Sequence, residues 1–151
     1  MHVFRISESQ FINDLSGYGA SLRGGRWNDV GTHALYTGSS VALSAWEVRV
    51  YLDNTFLPRD DFYSIAFISI PIDSIKEVVF SNDNWKIDGQ ITREIGEEWI
   101  DEGKYLCLKV PSAIIPYEYN IIINPAHSLI NQVSIVRVEN FIFDPRTFNI
   151  L

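Results

Sequence analysis

An arginine, a tyrosine, a glutamate and a serine stand out in this sequence, because each has neighbours that would give it chemistry to do. Arg26 follows Gly24-Gly25 and precedes Trp27-Asn28. Paired glycines allow positive φ and close backbone approach to a ligand, and a guanidinium there offers a planar fork to phosphate or carboxylate. Tyr36 lies in the apolar run Ala-Leu-Tyr-Thr that ends at Gly38. Glu47 lies in a stretch, Val-Ala-Leu-Ser-Ala-Trp-Glu-Val, that is otherwise apolar nearly all round at helical spacing. A helix of that kind is expected to be buried, and an unpaired carboxylate inside it is costly. Glu47 therefore either pairs with a cation such as Arg26 or lines a cleft.

Ser112 follows Pro111 at the end of an apolar run, where a hydroxyl can point into a cleft or bond its own turn. Asn120, Asn124 and His127 form a second polar set around a strand-to-turn junction. Taken alone, Tyr36 reads as a core tyrosine and His127 as a structural histidine. No Ser–His–Asp arrangement follows from sequence, which carries no geometry.

The elements that must position these groups can be read from periodicity. A strand is expected over residues 2–6, with Arg5 in it, then a turn or short helix over 7–13. Residues 17–25 read as a glycine-rich surface loop anchored by Tyr18, Leu22 and Trp27. A strand over 34–37 ends at Gly38, and Ser39 or Ser40 caps a helix that runs to about residue 54, before Pro58. Residues 62–70 are almost continuously apolar, as in a central strand covered on both faces and ended by Pro71. A short strand is expected at 78–80, and a helix over 91–102 with Ile91, Ile95, Trp99 and Glu102 in register and Gly103 as its stop. Its other faces, with Arg93, Glu94, Glu97, Glu98 and Asp101, read as solvated. Strands follow at 105–110, 119–123 and 134–143, with a turn at Asn124-Pro125 and a helical turn near His127. The tail from Asp144 through Arg146 folds back at the domain edge. Strands and helices interleave irregularly, so the class is α+β, one compact mixed domain over residues 1–151.

Composition limits the function classes. A chain of 151 residues with 46% hydrophobic content can bury a substantial core. The formal net charge of −7, without any Lys/Arg cluster, argues against direct nucleic-acid binding. The longest apolar stretch, residues 62–72, is too short to span a bilayer, so no membrane association is expected. Met1 leads straight into His-Val-Phe-Arg-Ile without the pattern of a secretory signal. The single cysteine, Cys107, makes no internal disulfide and fits a reducing, cytoplasmic setting. His2, His33 and His127 are scattered and no Cys/His pair has ligand spacing, so no metal site is expected.

The combination of Gly-Gly-Arg-Trp-Asn, Tyr36, Glu47 and Val-Pro-Ser resembles the RES domain family, named for an arginine, a glutamate and a serine that match Arg26, Glu47 and Ser112. The resemblance extends through Phe4-Arg5, Gly17-Tyr18-Gly19-Ala20, Glu118-Tyr119-Asn120, Asn124-Pro125-Ala126-His127 and Phe143-Asp144-Pro145-Arg146, covering about residues 3–148. It implies a fold like that of NAD-dependent ADP-ribosyltransferases and a bacterial toxin paired with an Xre-type antitoxin. The toxin core would be a homodimer, with antitoxin chains blocking the cleft. It further implies an enzyme acting on NAD+, a substrate and not a resident cofactor, by breaking the nicotinamide–ribose bond. The outcome is phosphorolysis, hydrolysis or ADP-ribosyl transfer to a protein. Arg26, Tyr36, Glu47 and Ser112 are the implied catalytic set, and Arg5, Gly25, Trp27, Asn28, Asn120 and His127 the implied substrate-binding set. Arg146 and Asn124 receive no role. A non-catalytic binding module and a nuclease are the readings from other classes, and the acidic balance counts against the nuclease.

Overall fold

The computed structural model describes residues 1–149. The chain forms one seven-stranded sheet in the order β4-β5-β6-β2-β1-β3-β7. In chain order the strands are β1 (His2–Glu8), β2 (Leu35–Gly38), β3 (Tyr63–Ser69), β4 (Ile75–Glu77), β5 (Cys107–Pro111), β6 (Tyr119–Ile123) and β7 (Ser134–Phe141). The helices are α1 (Tyr18–Arg23), α2 (Val41–Arg49) and α3 (Gly89–Glu102). The β4–β5 pair is parallel, with α3 in the connection; every other pair is antiparallel. The architecture is the expected α+β single domain.

Register sets the two faces. Side chains alternate along a strand and paired residues share a face. Phe4 pairs with Gly38 and with Phe67, Tyr36 with Ile122, and Gly38 with Asn120, which in turn pairs with Val110. Phe4, Ile6, Tyr36, Asn120, Ile122 and Val110 therefore share one face. Over its β5–β6 side pack Trp27, Trp85 and Trp99, the last from α3. Over its β1–β3 side pack Val41, Ala45 and Val48 of α2. The opposite face carries Val3, Leu35, Ala66, Ile68, Ile121 and Ile123, covered by Ile12, Leu129, Ile130 and Val133 from connecting segments that hold only short 3-10 turns. Between β1 and β2 the ladder holds a single bridge, Phe4 to Gly38.

Several boundaries differ from expectation. Residues 18–23 are a helix and not a loop, bracketed by Gly17 (φ 70) and Gly24 (φ 71) in conformations that favour glycine. Tyr18 and Leu22 are exposed there, Tyr18 lying against the His33 ring, and only Trp27 is buried. The helix bearing Glu47 stops at Arg49, because the Arg49 guanidinium turns inward to the carbonyls of Thr147 and Leu52 and the side chain of Asn54. Trp46, Val50 and Tyr51 are exposed, so α2 is not buried all round. The short strand falls at Ile75–Glu77, beside Cys107–Lys109, and not at 78–80. The strand over residues 62–70 is covered on both faces but is the sixth of seven in the sheet, not central. In α3 the buried line is Thr92, Gly96 and Trp99, which turns Ile91 outward. Glu97 is not a free surface charge: it accepts from the Asp29 amide and the Thr32 hydroxyl, fastening α3 to the loop after Arg26. Among the described residues no helix is long and apolar enough to cross a membrane.

Candidate active site

The shared face leaves a cavity of about 380 Å³ between the α2 and α3 sides. Phe4 and Ile6 of β1, Tyr36 and Gly38 of β2, Arg26, Glu47, Tyr51 and Asn120 are among its lining residues.

Glu47 reaches it through two serines. Ser40 Oγ accepts from the Leu43 amide at 3.0 Å, capping α2, and donates to Glu118 at 2.6 Å. Ser44 Oγ lies 3.0 Å from the Phe4 carbonyl, seating the helix on β1. One turn later Glu47 meets β6 and the end of β5. Its Oε1 accepts from Asn120 Nδ2 at 2.6 Å and from Ser112 Oγ at 3.1 Å. Ser112 Oγ in turn accepts from the amides of Ile114 (3.1 Å) and Ile115 (3.0 Å). A hydroxyl has one proton and two lone pairs, so the hydrogen-bonding capacity of Ser112 is filled. Glu47 Oε2 has no hydrogen-bond partner among the described residues. Of the two expectations for Glu47, the cleft is the one realised.

Arg26 comes from a tight loop clamped on Tyr36. The Tyr36 hydroxyl accepts from the Trp27 amide at 3.0 Å and donates to Asn28 Oδ1 at 2.7 Å. Asn28 Nδ2 lies 3.0–3.1 Å from the carbonyls of Ala20, Asp29 and Thr32. A Cβ on Gly25 would sit 2.7 Å from the Tyr36 hydroxyl, so only glycine passes there. Burial pushes the Tyr36 phenol well above its ordinary value. Beyond this loop Arg26 Nη1 donates to the Lys86 carbonyl at 3.0 Å and lies 3.5 Å from that of Trp85. Among the described residues no carboxylate lies within ion-pair distance of Arg26.

The ten residues singled out from sequence thus divide. Arg26, Trp27, Tyr36, Glu47, Gly25 and Asn120 line the cavity, and Ser112 lies just behind it, holding Glu47. Tyr36 offers a ring, since its hydroxyl is committed to the loop. Asn28 is fully buried with its amide satisfied, so it presents no free polar group to a ligand, whereas Trp27 packs in the α3 core and also lines the cavity. Arg5 is on the other face: strand alternation turns it away from Phe4 and Ile6, and its Nη1 serves the carbonyls of Phe11, Ile12 and Asp14. His127 lies outside the cavity lining, its Nδ1 accepting from the Leu129 amide, while Asn124 closes the same turn onto the Ala126 amide. Arg146 pairs with Asp144 in the open, and holds that carboxyl down at about 2. Tyr51, four residues after Glu47 and just past the end of α2, lines the cavity and was given no role; its spacing was the available signal. The carbonyls of Trp85 and Lys86 carry no signature in side-chain types.

A model of the RES domain matches residues 2–144. The chain belongs to the RES domain family. RES relatives include a protein of Photorhabdus laumondii named Toxin Res, 37% identical over 88% of this chain and 90% of its own length. A protein of Sphingobium named Prs ADP-ribosylating toxin is 33% identical over 89% of this chain and 86% of its own. A Toxin Res of Yersinia enterocolitica is 34% identical over 97% and 99%. The RES fold also appears in the crystal structure of the M. tuberculosis MbcT-MbcA toxin-antitoxin complex. That chain matches with a TM-score of 0.74 at 16% identity, over 93% of this chain and 84% of the other. In this RES domain Arg26 and Glu47 line one cavity, and the Ser112 hydroxyl donates to Glu47.

Proposed function

We propose that this RES domain is the toxin of a toxin–antitoxin pair and that it consumes NAD+ by breaking the nicotinamide–ribose bond. The observation that carries this reading is the fixed Glu47 carboxylate, gripped at Oε1 by Asn120 and Ser112, in the same cavity as an Arg26 without a carboxylate partner. Nicotinamide leaves with the electron pair of the C–N bond as a neutral base, so little acid assistance is needed. The barrier is the cationic, oxocarbenium-like ribosyl centre left behind. A carboxylate held before the charge develops lowers it without reorganisation. Glu47 Oε2 either faces that centre or orients a ribose hydroxyl. Arg26 holds the pyrophosphate through charge-assisted contacts. The Tyr36 ring offers a stacking face for the nicotinamide end, and Ser112 and Asn120 are positioning residues that act through Glu47.

The electron balance is completed by a nucleophile at the ribosyl carbon: phosphate gives phosphorolysis, water gives hydrolysis. A protein side chain as acceptor is the second reading, favoured by the Sphingobium relative named an ADP-ribosylating toxin. The structural relative solved as a toxin–antitoxin complex supports an antitoxin partner. An Xre-type antitoxin covering the cavity, a homodimeric toxin core and a cytoplasmic site of action complete the proposal.

The test is NAD+ concentration over time with purified protein, with and without phosphate, followed by product analysis. Loss only with phosphate means phosphorolysis, and loss without it means hydrolysis. Label from NAD+ appearing on a protein means transfer. With antitoxin absent, finding no loss of NAD+ and no transfer of label would defeat the enzymatic reading.

A further inference from the structure

A second cavity, about 430 Å³, lies beyond the wall formed by Pro111 and Ser112. Four aromatic residues line it, Phe80 and Trp85, stacked at 5.1 Å and 11°, together with Tyr117 and Tyr119, beside the polar Glu77, Ser81, Asn82 and Asp83. Two lysines stand beside it, and each already has a carboxylate. Lys86 pairs with Asp83 at 3.1 Å, and Lys109, whose ammonium lies 4.2 Å from the centroid of the Tyr119 ring, pairs with Glu77 at 3.2 Å. The cavity therefore suits a neutral planar ring better than an anion.

The anion's place is next door. Arg26 lines the first cavity, yet its guanidinium contacts the carbonyls of Trp85 and Lys86 and lies 5.8 Å from the centroid of the Trp85 ring, and both residues line the second. The order along the surface is carboxylate cavity, free arginine, aromatic cavity. A dinucleotide has the matching order of ribosyl bond, pyrophosphate and purine.

Tyr117 adds an independent mark. Among the described residues it is the single non-glycine residue with positive φ, at 69°, and it is 98% exposed. A bulky side chain in the left-handed region is strained, and strain of this kind gathers at ligand clamps. No core packing explains it. It stands in the connection that starts at Ser112 and returns at Glu118, the same segment that holds Glu47.

Resting on the NAD+ reading, we infer that the second cavity is the adenine subsite of the dinucleotide, with Tyr117 as a ring that closes over the bound base. Phe80 supplies the opposing aromatic surface, and Arg26 takes the phosphate between the two cavities.

Adenosine monophosphate separates this inference from the reaction itself, because it has the purine and one phosphate but no bond to break. Calorimetric titration of the whole chain with adenosine monophosphate should show saturable binding. Tyr117→Gly, which removes the ring and relieves the positive φ on an exposed residue, should weaken it roughly tenfold, the scale of one base-on-aromatic contact. Phe80→Leu should do the same, and KM for NAD+ should rise in step. Adenosine monophosphate binding lost in these variants, in a protein that does not consume NAD+, would keep the subsite and overturn the reaction. NAD+ consumption with KM unchanged in both variants, or with no adenosine monophosphate binding, would overturn the subsite and keep the reaction. A change confined to protein labelling would also overturn it, and would make the second cavity an acceptor site.

Discussion

Glu47 is asked to do chemistry, while Ser112 and Asn120 are asked to hold it still, and substitution separates the two jobs. Glu47→Gln keeps the volume and removes the charge. It should lower kcat for NAD+ consumption by roughly 10²–10³-fold, the scale of losing one preorganised electrostatic group, with KM little changed. Initial rates over a range of NAD+ concentrations check this. Ser112→Ala removes one donor from Glu47 and the acceptor for the Ile114 and Ile115 amides. It should cost about 1–3 kcal/mol of stability in denaturant unfolding, with a smaller loss of rate than Glu47→Gln. Equal rate losses in the two variants would move Ser112 from positioning to direct contact with substrate. The glutamate was visible in the sequence because its type was wrong for its apolar neighbours, and the arginine because a glycine pair presents it. The clamp of Asn28 on Tyr36 was not visible. An asparagine beside a tryptophan looks the same whether it faces a ligand or three backbone carbonyls.

At the scale of elements, what fixes Arg26 is the distance between α3 and the loop carrying it. A Cβ on Gly96 would fall 1.7 Å from the Trp27 carbonyl oxygen, which is backbone and cannot step aside. Gly96→Ala should therefore push α3 off the Trp27 loop, costing about 3 kcal/mol or more and lowering activity through Arg26. Gly19→Ala, in α1 with nothing within 4 Å of its Cβ, should be neutral or stabilising by about 0.5–1 kcal/mol. Thermal and urea unfolding of the pair distinguish packing from helix propensity. The elements that sequence located best were those with one dominant signal. The strand at Tyr119–Ile123 lies where its apolar run lies, and α3 stops where Gly103 takes φ 59. Those it misplaced depend on distant partners. The end of α2 is decided by Arg49 meeting Thr147, nearly a hundred residues on, and β4 by the parallel edge of β5. Local pattern holds neither fact.

For the molecule as a whole, burial of titratable groups sets how it tolerates alkali. Burial pushes the Cys107 thiol from an ordinary value near 9.0 up to about 12. The thiol is neutral in both states at neutral pH. Between those values the unfolded chain has released the proton and the folded chain still holds it. The unfolded state then binds fewer protons, so stability falls as pH rises through that window. Tyr36, raised in the same direction, steepens the fall at its upper end. Cys107→Ala should flatten the pH dependence of the unfolding free energy above pH 9 without changing it near neutrality. In the folded protein Cys107 should also resist alkylation.

The sheet has one place where its continuity is thin. Strands β1 and β2 share only the Phe4–Gly38 bridge, whereas β1 is laddered to β3, and β2 to β6, along the length of the shorter strand. Mechanically this makes two stiff plates joined by a stitch, and the plates carry different halves of the chemistry. Phe4 and Ile6 belong to one, Tyr36 and Asn120 to the other, and Glu47 reaches across from a helix seated on the first. A splaying of the plates would open the cavity without unfolding either side. Amide exchange should find the stitch opening first while β3 and β6 stay protected, and NAD+, touching both plates, should slow it.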